Sequence, residues 1–259
     1  MGDTAPDCCR GGHAWRRGAR AIQLAVPQRE PLSAPLLGAL FVVAGAASGW
    51  LLFAFEALVQ GGVGAAVGFP WQGVVLSPPF GLPSVRQGVE GLHGPGGWAL
   101  LLLAGPLVGL AVGAAAHGLA EALAAPGWVR ALAFEGFAIA WLRLPLLVLA
   151  AGLRRGSGPL SELYDRLGEP ESGRWAALGL GVIILWGVSA LVARRAVALG
   201  RDWLRVDGVE FRRRLVWIVA GYPFLATTAA FALVEPLGPV SWVAAGLLLV
   251  MAALAIRTP

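Results

Sequence analysis

The stretch WALLLLAGPLVGLAVGAAAHGLA, residues 98–120, contains no Asp, Glu, Lys or Arg. A helix of this length, rising 1.5 Å per residue, crosses a hydrocarbon core of ~30 Å. Five other blocks of similar apolar character lie near 36–58, 131–153, 175–193, 215–234 and 240–256. The sequence therefore predicts an all-α, polytopic transmembrane bundle of about six spans that occupies residues 36–256.

The composition excludes an ordinary soluble domain. Charged residues make up 14% of the chain and hydrophobic residues 57%, whereas a soluble domain carries roughly 25% charged residues. The net charge of +5 comes from Arg residues that flank the apolar blocks, a pattern typical of membrane topology rather than of nucleic-acid binding. The expected partners are the lipid bilayer and, for a partner subunit, other membrane proteins.

The distribution of Arg predicts the orientation. If the N-terminus lies inside, 14 Arg fall on the inner side and five on the outer side, which favours N-in and C-in with an even number of spans. Arg154 and Arg155, on the outer side, oppose this assignment. Residues 1–35 are then a basic cytoplasmic segment of a multi-pass protein. All 20 Lys or Arg residues of the chain are Arg. This composition suggests a bacterial source, and hence the inner (cytoplasmic) membrane.

The longest connection between spans, residues 59–97, is rich in Gly and Pro and poor in charge. It is predicted to be a loop. Its aromatic residues, with Trp98 just beyond it, favour a position along the membrane interface: Phe69, Trp71 and Phe80.

Small residues recur every four positions in the second block, at Gly105, Gly109 and Gly113. A step of four turns a helix by about 400°, so these glycines form one slowly drifting stripe. Without side chains, the stripe lets another helix approach closely. Gly45 and Gly49 repeat the pattern in the first block. We predict helix packing through both stripes.

His117 and Glu121 continue the stripe toward the inner surface. An i, i+4 pair of this kind can contribute to a metal site or a proton relay, or it can be a simple hydrogen-bonded pair. Two ligands do not make a metal site, and the adjacent Cys8 and Cys9 form no CxxC motif. No cofactor or metal is therefore predicted.

Three residues charged at neutral pH lie within predicted spans: Glu56, Glu135 and Arg143. An Arg near the middle of a span costs roughly 2.5–3.5 kcal/mol on insertion scales, so a partner or a hydrated cavity is expected. Glu135 lies about 12 Å along the helix and about 80° around it from Arg143. Glu56 in the first span is the rival partner. The group is interpreted as a packing ion pair or as a ligand site.

No enzyme motif is present. The sequence lacks HExxH, GxSxG and a Walker A loop, so catalysis is not expected. A membrane scaffold or partner subunit is the first interpretation. A small-solute transporter, or the membrane subunit of one, is the alternative. Pro106, Pro145 and Pro223 interrupt spans, as broken helices do at transporter sites, although such prolines also occur in ordinary bundles.

From residue 98 onward the layout resembles bacterial Yip1-domain membrane proteins. The similar features are residues 116–119 (AHGL), Trp128, residues 130–132 (RAL) and residues 221–223 (GYP). That family usually has five spans, against six predicted here. The resemblance implies a non-enzymatic membrane protein with a role in trafficking or membrane organisation, and it transfers no catalytic residue.

Overall fold

A computed structural model describes residues 34–75, 84–87, 94–153, 168, 171–204, 214–222 and 226. Four long helices dominate this part of the chain: α1 (Ala34–Ala66), α2 (Pro95–Ala122), α3 (Gly127–Leu153) and α4 (Glu171–Leu204). Each is long and apolar enough to cross a membrane. The prediction of a helical membrane protein is thus confirmed, and the count of six spans and the orientation stay predictions.

The four helices coincide with the first four predicted spans and extend them at most ends. Large apolar side chains point away from the core on every helix, as expected of surfaces that contact lipid rather than water. Examples on successive helices are Leu36, Leu107, Trp128 and Ile183. These exposed apolar surfaces are the structural basis for placing the chain in a membrane.

Contacts between named residues fix the relative directions of α1, α3 and α4. Ser48 Oγ of α1 donates to Leu132 O of α3 at 2.7 Å, and Glu56 further along α1 pairs with Arg143, so α1 and α3 run parallel. A Cβ built on Gly181 of α4 would lie 2.8 Å from Leu149 Cγ of α3. Together with the contact of residue 152 with residue 178, this makes α3 and α4 antiparallel.

The core between the helices is aromatic at one end and aliphatic at mid-height. Phe41 and Phe134 are fully buried and meet edge to face with ring centroids 6.3 Å apart. Leu52 of α1 packs with Ile139 and Ala140 of α3 in a second buried cluster. Side chains from α1 and α3 therefore fill the space between these two helices at both levels.

The connection predicted as a loop over 59–97 is corrected by the structure. Helix α1 continues to Ala66 and ends in a Schellman motif, in which Phe69 N–H donates to Gly64 O at 2.9 Å and Gly68 has φ 95°. Only a residue tolerant of the left-handed region fits at that position. The motif turns Phe69 inward, where it packs on Trp98 at 4.9 Å between ring centroids.

A two-stranded antiparallel hairpin follows, which the all-α prediction did not include. Strand β1 (Trp71–Val75) pairs with β2 (Ser84–Gln87), with an irregularity between Trp71 and Gly73. Both strands contact α1, and Trp71 is about half exposed. Phe80, predicted to lie at the interface with these aromatics, is outside the described residues.

The short turn between α2 and α3 is a second Schellman motif with an unusual residue in it. Ala125 N–H donates to Ala120 O at 2.9 Å and Ala124 N–H to Glu121 O at 3.1 Å. Ala124 occupies the position normally taken by Gly, with φ 46°. Pro126 follows and α3 begins at the next residue. The turn is thus held at some conformational cost to Ala124.

A π-helical segment, Trp217–Gly221, lies near the start of the fifth predicted span. It contacts α1 and α4. The rest of the predicted span 215–234, apart from residue 226, lies outside the described residues. The same is true of the predicted span 240–256 and of residues 1–33 of the N-terminal segment.

Candidate functional site

The charged residue at the centre of the bundle, Arg143, is paired with Glu56. A guanidinium nitrogen of Arg143 on α3 donates to Glu56 Oε2 on α1. The guanidinium also lies over the ring of Phe53, 4.6 Å from its centroid, in a cation–π arrangement. Gly109 of α2, beside the pair, is close to the middle of its helix. The pair therefore lies at mid-depth, where a lone charge costs most.

The two charges differ in exposure. The Glu56 side chain is 7% exposed and that of Arg143 31%. The Glu56 side chain is enclosed by protein, while part of the Arg143 side chain remains open. Arg has five N–H donors in a planar fork, and the ion pair with Glu56 engages the NH1 nitrogen.

The glycine stripe of α2 contacts this pair directly. A Cβ built on Gly105 would lie 3.2 Å from Glu56 O, and one on Gly109 would lie 2.9 Å from Glu56 Cδ and closer still to Oε1. Gly113 packs instead on α3, where its Cβ would be 3.2 Å from Gly136 O. The stripe thus packs against Glu56 at Gly105 and Gly109, and against the α3 backbone at Gly113.

The first glycine stripe lies on the inward side of α1. Gly45 and Gly49 are both buried. Ser48, between them, is 7% exposed and makes the hydrogen bond to Leu132 O. The sequence analysis did not single out Ser48. The signal available was a small hydroxyl side chain within a stretch of Gly and Ala, a combination that favours hydrogen bonds between membrane helices.

His117 and Glu121 have separate environments. The His117 ring stacks on Phe137 at 5.1 Å and meets Phe134 edge-on at 5.8 Å. It is 7% exposed, and neither ring nitrogen has a hydrogen-bond partner within the described part of the chain. Glu121 instead accepts two hydrogen bonds from Arg130, at 3.0 and 3.1 Å, across the turn.

Glu135 is not the partner of Arg143. It is 1% exposed, and its Oε1 has no hydrogen-bond partner among the residues that the structure describes. Of the two carboxylates considered for Arg143, the structure brings only Glu56 to it. Glu56 and Arg143 are 87 residues apart in the sequence, and no helical or strand periodicity relates residues at that distance. The sequence alone therefore did not decide between Glu56 and Glu135.

The described residues contain no group of three or more His, Cys, Asp or Glu side chains close enough to hold a metal ion. At mid-depth the structure brings together the Glu56–Arg143 ion pair, the cation–π contact of Arg143 with Phe53, and the two glycines of α2 that pack on Glu56. This arrangement can bind an additional anion or hydrogen-bond acceptor through the open part of Arg143, and it can hold three helices together.

No family model, curated protein or solved structure matches the chain.

Proposed function

We propose that the protein is a non-catalytic membrane scaffold or partner subunit of the bacterial inner membrane. The observation that carries this proposal is the enclosure of Glu56 between Arg143 and Gly109. A charge pair enclosed in this way neutralises Arg143 and ties α1 to α3, with α2 against both. Such a pair stabilises one arrangement of helices and leaves the carboxylate no space for a solute.

The proposal is also consistent with what the Yip1-domain resemblance implies, a non-enzymatic role in membrane organisation. A scaffold in the membrane contacts its partners through lipid-facing side chains. Each described helix presents such apolar residues, among them Leu36, Leu107, Leu119 and Ile183. A partner helix would bury part of this surface.

The test is photo-crosslinking in native membranes. A photoreactive amino acid is placed in turn at Leu107, Leu119 and Ile183, with the fully buried Leu185 as the matched position. A scaffold or partner subunit gives a discrete protein adduct from one exposed face and none from Leu185. Adducts with lipid alone at every exposed apolar position, in the organism's own membranes, would contradict the proposal.

The alternative is a small-solute transporter with a site at Arg143. It is favoured by one observation, the 31% exposure of the Arg143 side chain, because the open guanidinium could recognise an anion. The two candidates separate in proteoliposomes loaded with small anions. A transporter accelerates efflux over empty vesicles and loses this activity in Arg143→Leu combined with Glu56→Gln, whereas a scaffold leaves efflux at the background rate.

A further inference from the structure

The most deeply buried ionisable side chain among the described residues is Glu135, and the ion pair at mid-depth does not use it. It is 1% exposed, and Oε1 has no hydrogen-bond partner among those residues. A buried carboxylate without a partner is far more costly than a buried neutral carboxyl, because only the charged form loses a large solvation energy. The environment of Glu135 therefore determines what the carboxyl can bind.

Helical geometry places Glu135 between two neighbours of α3. Leu149 faces α4 through Gly181, and Arg143 faces α1 through Glu56. At about 100° per residue, Glu135 lies about 40° from Leu149 and about 80° from Arg143, between the two directions. This rotation directs the carboxyl of Glu135 toward the groove between α1 and α4.

The π-helical segment Trp217–Gly221 closes the same groove. A Cβ on Gly38 of α1 would lie 3.7 Å from Ile218, and one on Gly200 of α4 would lie 2.6 Å from Leu215, just before the segment. Its residues Val219, Ala220 and Gly221 are buried. The segment thus packs on both walls of the groove that Glu135 faces.

The π-helical segment also leaves one backbone carbonyl without the donor that would continue its hydrogen-bond pattern. Tyr222 N–H donates to Trp217 O, the i+5 bond of a π-helix. The next bond of this kind would run from residue 223 to the carbonyl of Ile218, but Pro223 has no N–H. The Ile218 carbonyl is therefore a backbone acceptor without its π-helical donor. A neutral carboxyl offers an O–H donor to such an acceptor, and a carboxylate would be repelled by it.

Among the described residues, the other charged groups around the groove are paired elsewhere or exposed. On α1 the ionisable residue is Glu56, which is paired with Arg143. On α2, His117 stacks on Phe137 and Glu121 bonds to Arg130, on the far side of α3. Four ionisable side chains are described on α4 near Glu135 and on or beside the π-helical segment. All four are exposed: Arg194, Arg195, Arg214 and Tyr222.

We propose that Glu135 is a proton-binding site, with its carboxyl held neutral in the groove between α1, α4 and the π-helical segment. Loss of the proton would leave a buried anion whose Oε1 has no hydrogen-bond partner among the described residues, and it would loosen the packing of α4 and of the segment on α3. The ligand is a proton rather than a metal cation, since a single carboxyl offers a cation too few ligands. The site couples the packing of the bundle to pH.

The first test uses dicyclohexylcarbodiimide, an apolar reagent that modifies neutral carboxyls inside membranes. The full chain in proteoliposomes is labelled over a pH series and analysed by mass spectrometry of its peptides. Glu135 is labelled, the labelling falls as pH rises, and Glu56, which is paired with Arg143, is labelled much less. The labelling is the same in sodium and choline buffers. Protection by sodium would mean that a cation binds there and would overturn the proposal.

The second test does not depend on access of the reagent to the groove. Glu135→Gln keeps the shape and the neutral state of the carboxyl, and Glu121→Gln changes an exposed carboxylate as the matched control. The melting temperature of the parent and of Glu121→Gln falls as pH rises, because the folded chain holds a proton that the unfolded chain releases. In Glu135→Gln this fall is lost.

Two results of the second test would overturn the proposal. One is an identical pH dependence of melting in the parent and in Glu135→Gln. The other is a Glu135→Gln variant that fails to accumulate while Glu135→Asp accumulates normally, since this would mean that the fold requires the charged form. Where reagent labelling and melting disagree, the melting comparison decides.

Discussion

Gly109 of α2 lies directly against the carboxyl group of Glu56 on α1. A single added carbon at residue 109 would come within 2.9 Å of Glu56 Cδ and nearer still to Oε1. The carboxylate that pairs with Arg143 is thus positioned by a residue with no side chain. Helix packing and charge pairing at mid-depth are therefore one feature of the bundle and not two.

Gly109→Ala should destabilise the protein by roughly 1–3 kcal/mol, the usual range for overpacking a buried contact. The added methyl group displaces the Glu56 carboxylate and weakens its bond to Arg143. Gly118→Ala on the same helix is the matched control, because a Cβ there meets nothing within 4 Å. Thermal unfolding in detergent measures both. Equal melting temperatures for the two variants would contradict the close contact at residue 109.

Arg143→Ala should cost about 3–5 kcal/mol, since it leaves Glu56 buried without its counter-charge. The double variant Glu56→Gln with Arg143→Leu should be more stable than Arg143→Ala alone, because it leaves no buried charge. Denaturant titration and accumulation in membranes compare them. If the double variant is as poor as the sum of its single substitutions, the two residues are independent.

The matched control for that experiment is the other ion pair, Glu121 with Arg130, whose side chains are 36% and 18% exposed. Arg130→Gln should cost no more than about 1 kcal/mol, as expected of a pair near the surface. A loss as large as that of Arg143→Ala would mean that the position of the charge in the bundle does not determine its cost.

Ala124→Gly should stabilise the turn between α2 and α3 by up to about 1 kcal/mol. The left-handed conformation costs an L-residue roughly 1–2 kcal/mol, and Gly avoids this cost. The greater conformational entropy of Gly in the unfolded chain offsets part of the stabilisation. A rise in melting temperature relative to the parent checks the prediction. Ala122→Gly, within the last turn of α2, is the control and should lower it.

The orientation is tested by reporter fusions within the polar connections. A reporter after residue 68, beyond α1, should be external, and one after residue 205, beyond α4, should be internal, because the inner side carries the excess of Arg. An external reporter at residue 205 would invert the assignment of both termini.

The helices were predictable from the sequence because long apolar stretches permit few alternatives in a membrane. The sequence does not predict the extension of α1 to Ala66. Glycine has a low helix propensity in water, and the extension contains glycines at 61, 62 and 64, so the segment is interpreted as a loop. The Schellman motif at Gly68 and the hairpin after it depend on local backbone conformation and on the contact of Phe69 with Trp98. Apolar periodicity carries no information about either.

The candidate site was only partly predictable. The spacing of Gly105 and Gly109 identified the face of α2 that another helix approaches, but not that a carboxylate would lie there. The cost of a buried charge indicated that Arg143 needs a partner, and two carboxylates satisfied that condition equally. Choosing Glu56 requires knowing that α1 and α3 are parallel neighbours, which depends on tertiary packing.

The 87 residues between Glu56 and Arg143 have a consequence for biogenesis. A ribosome that adds ~5–20 residues per second delivers Glu56 several seconds before Arg143 exists. During that interval the first helix has to keep its acidic group in contact with water or with the insertion machinery, or carry it into the lipid uncharged. The first helix therefore gains the counter-charge of its Glu56 only when the third helix arrives, and until then its apolar residues alone hold it in the membrane.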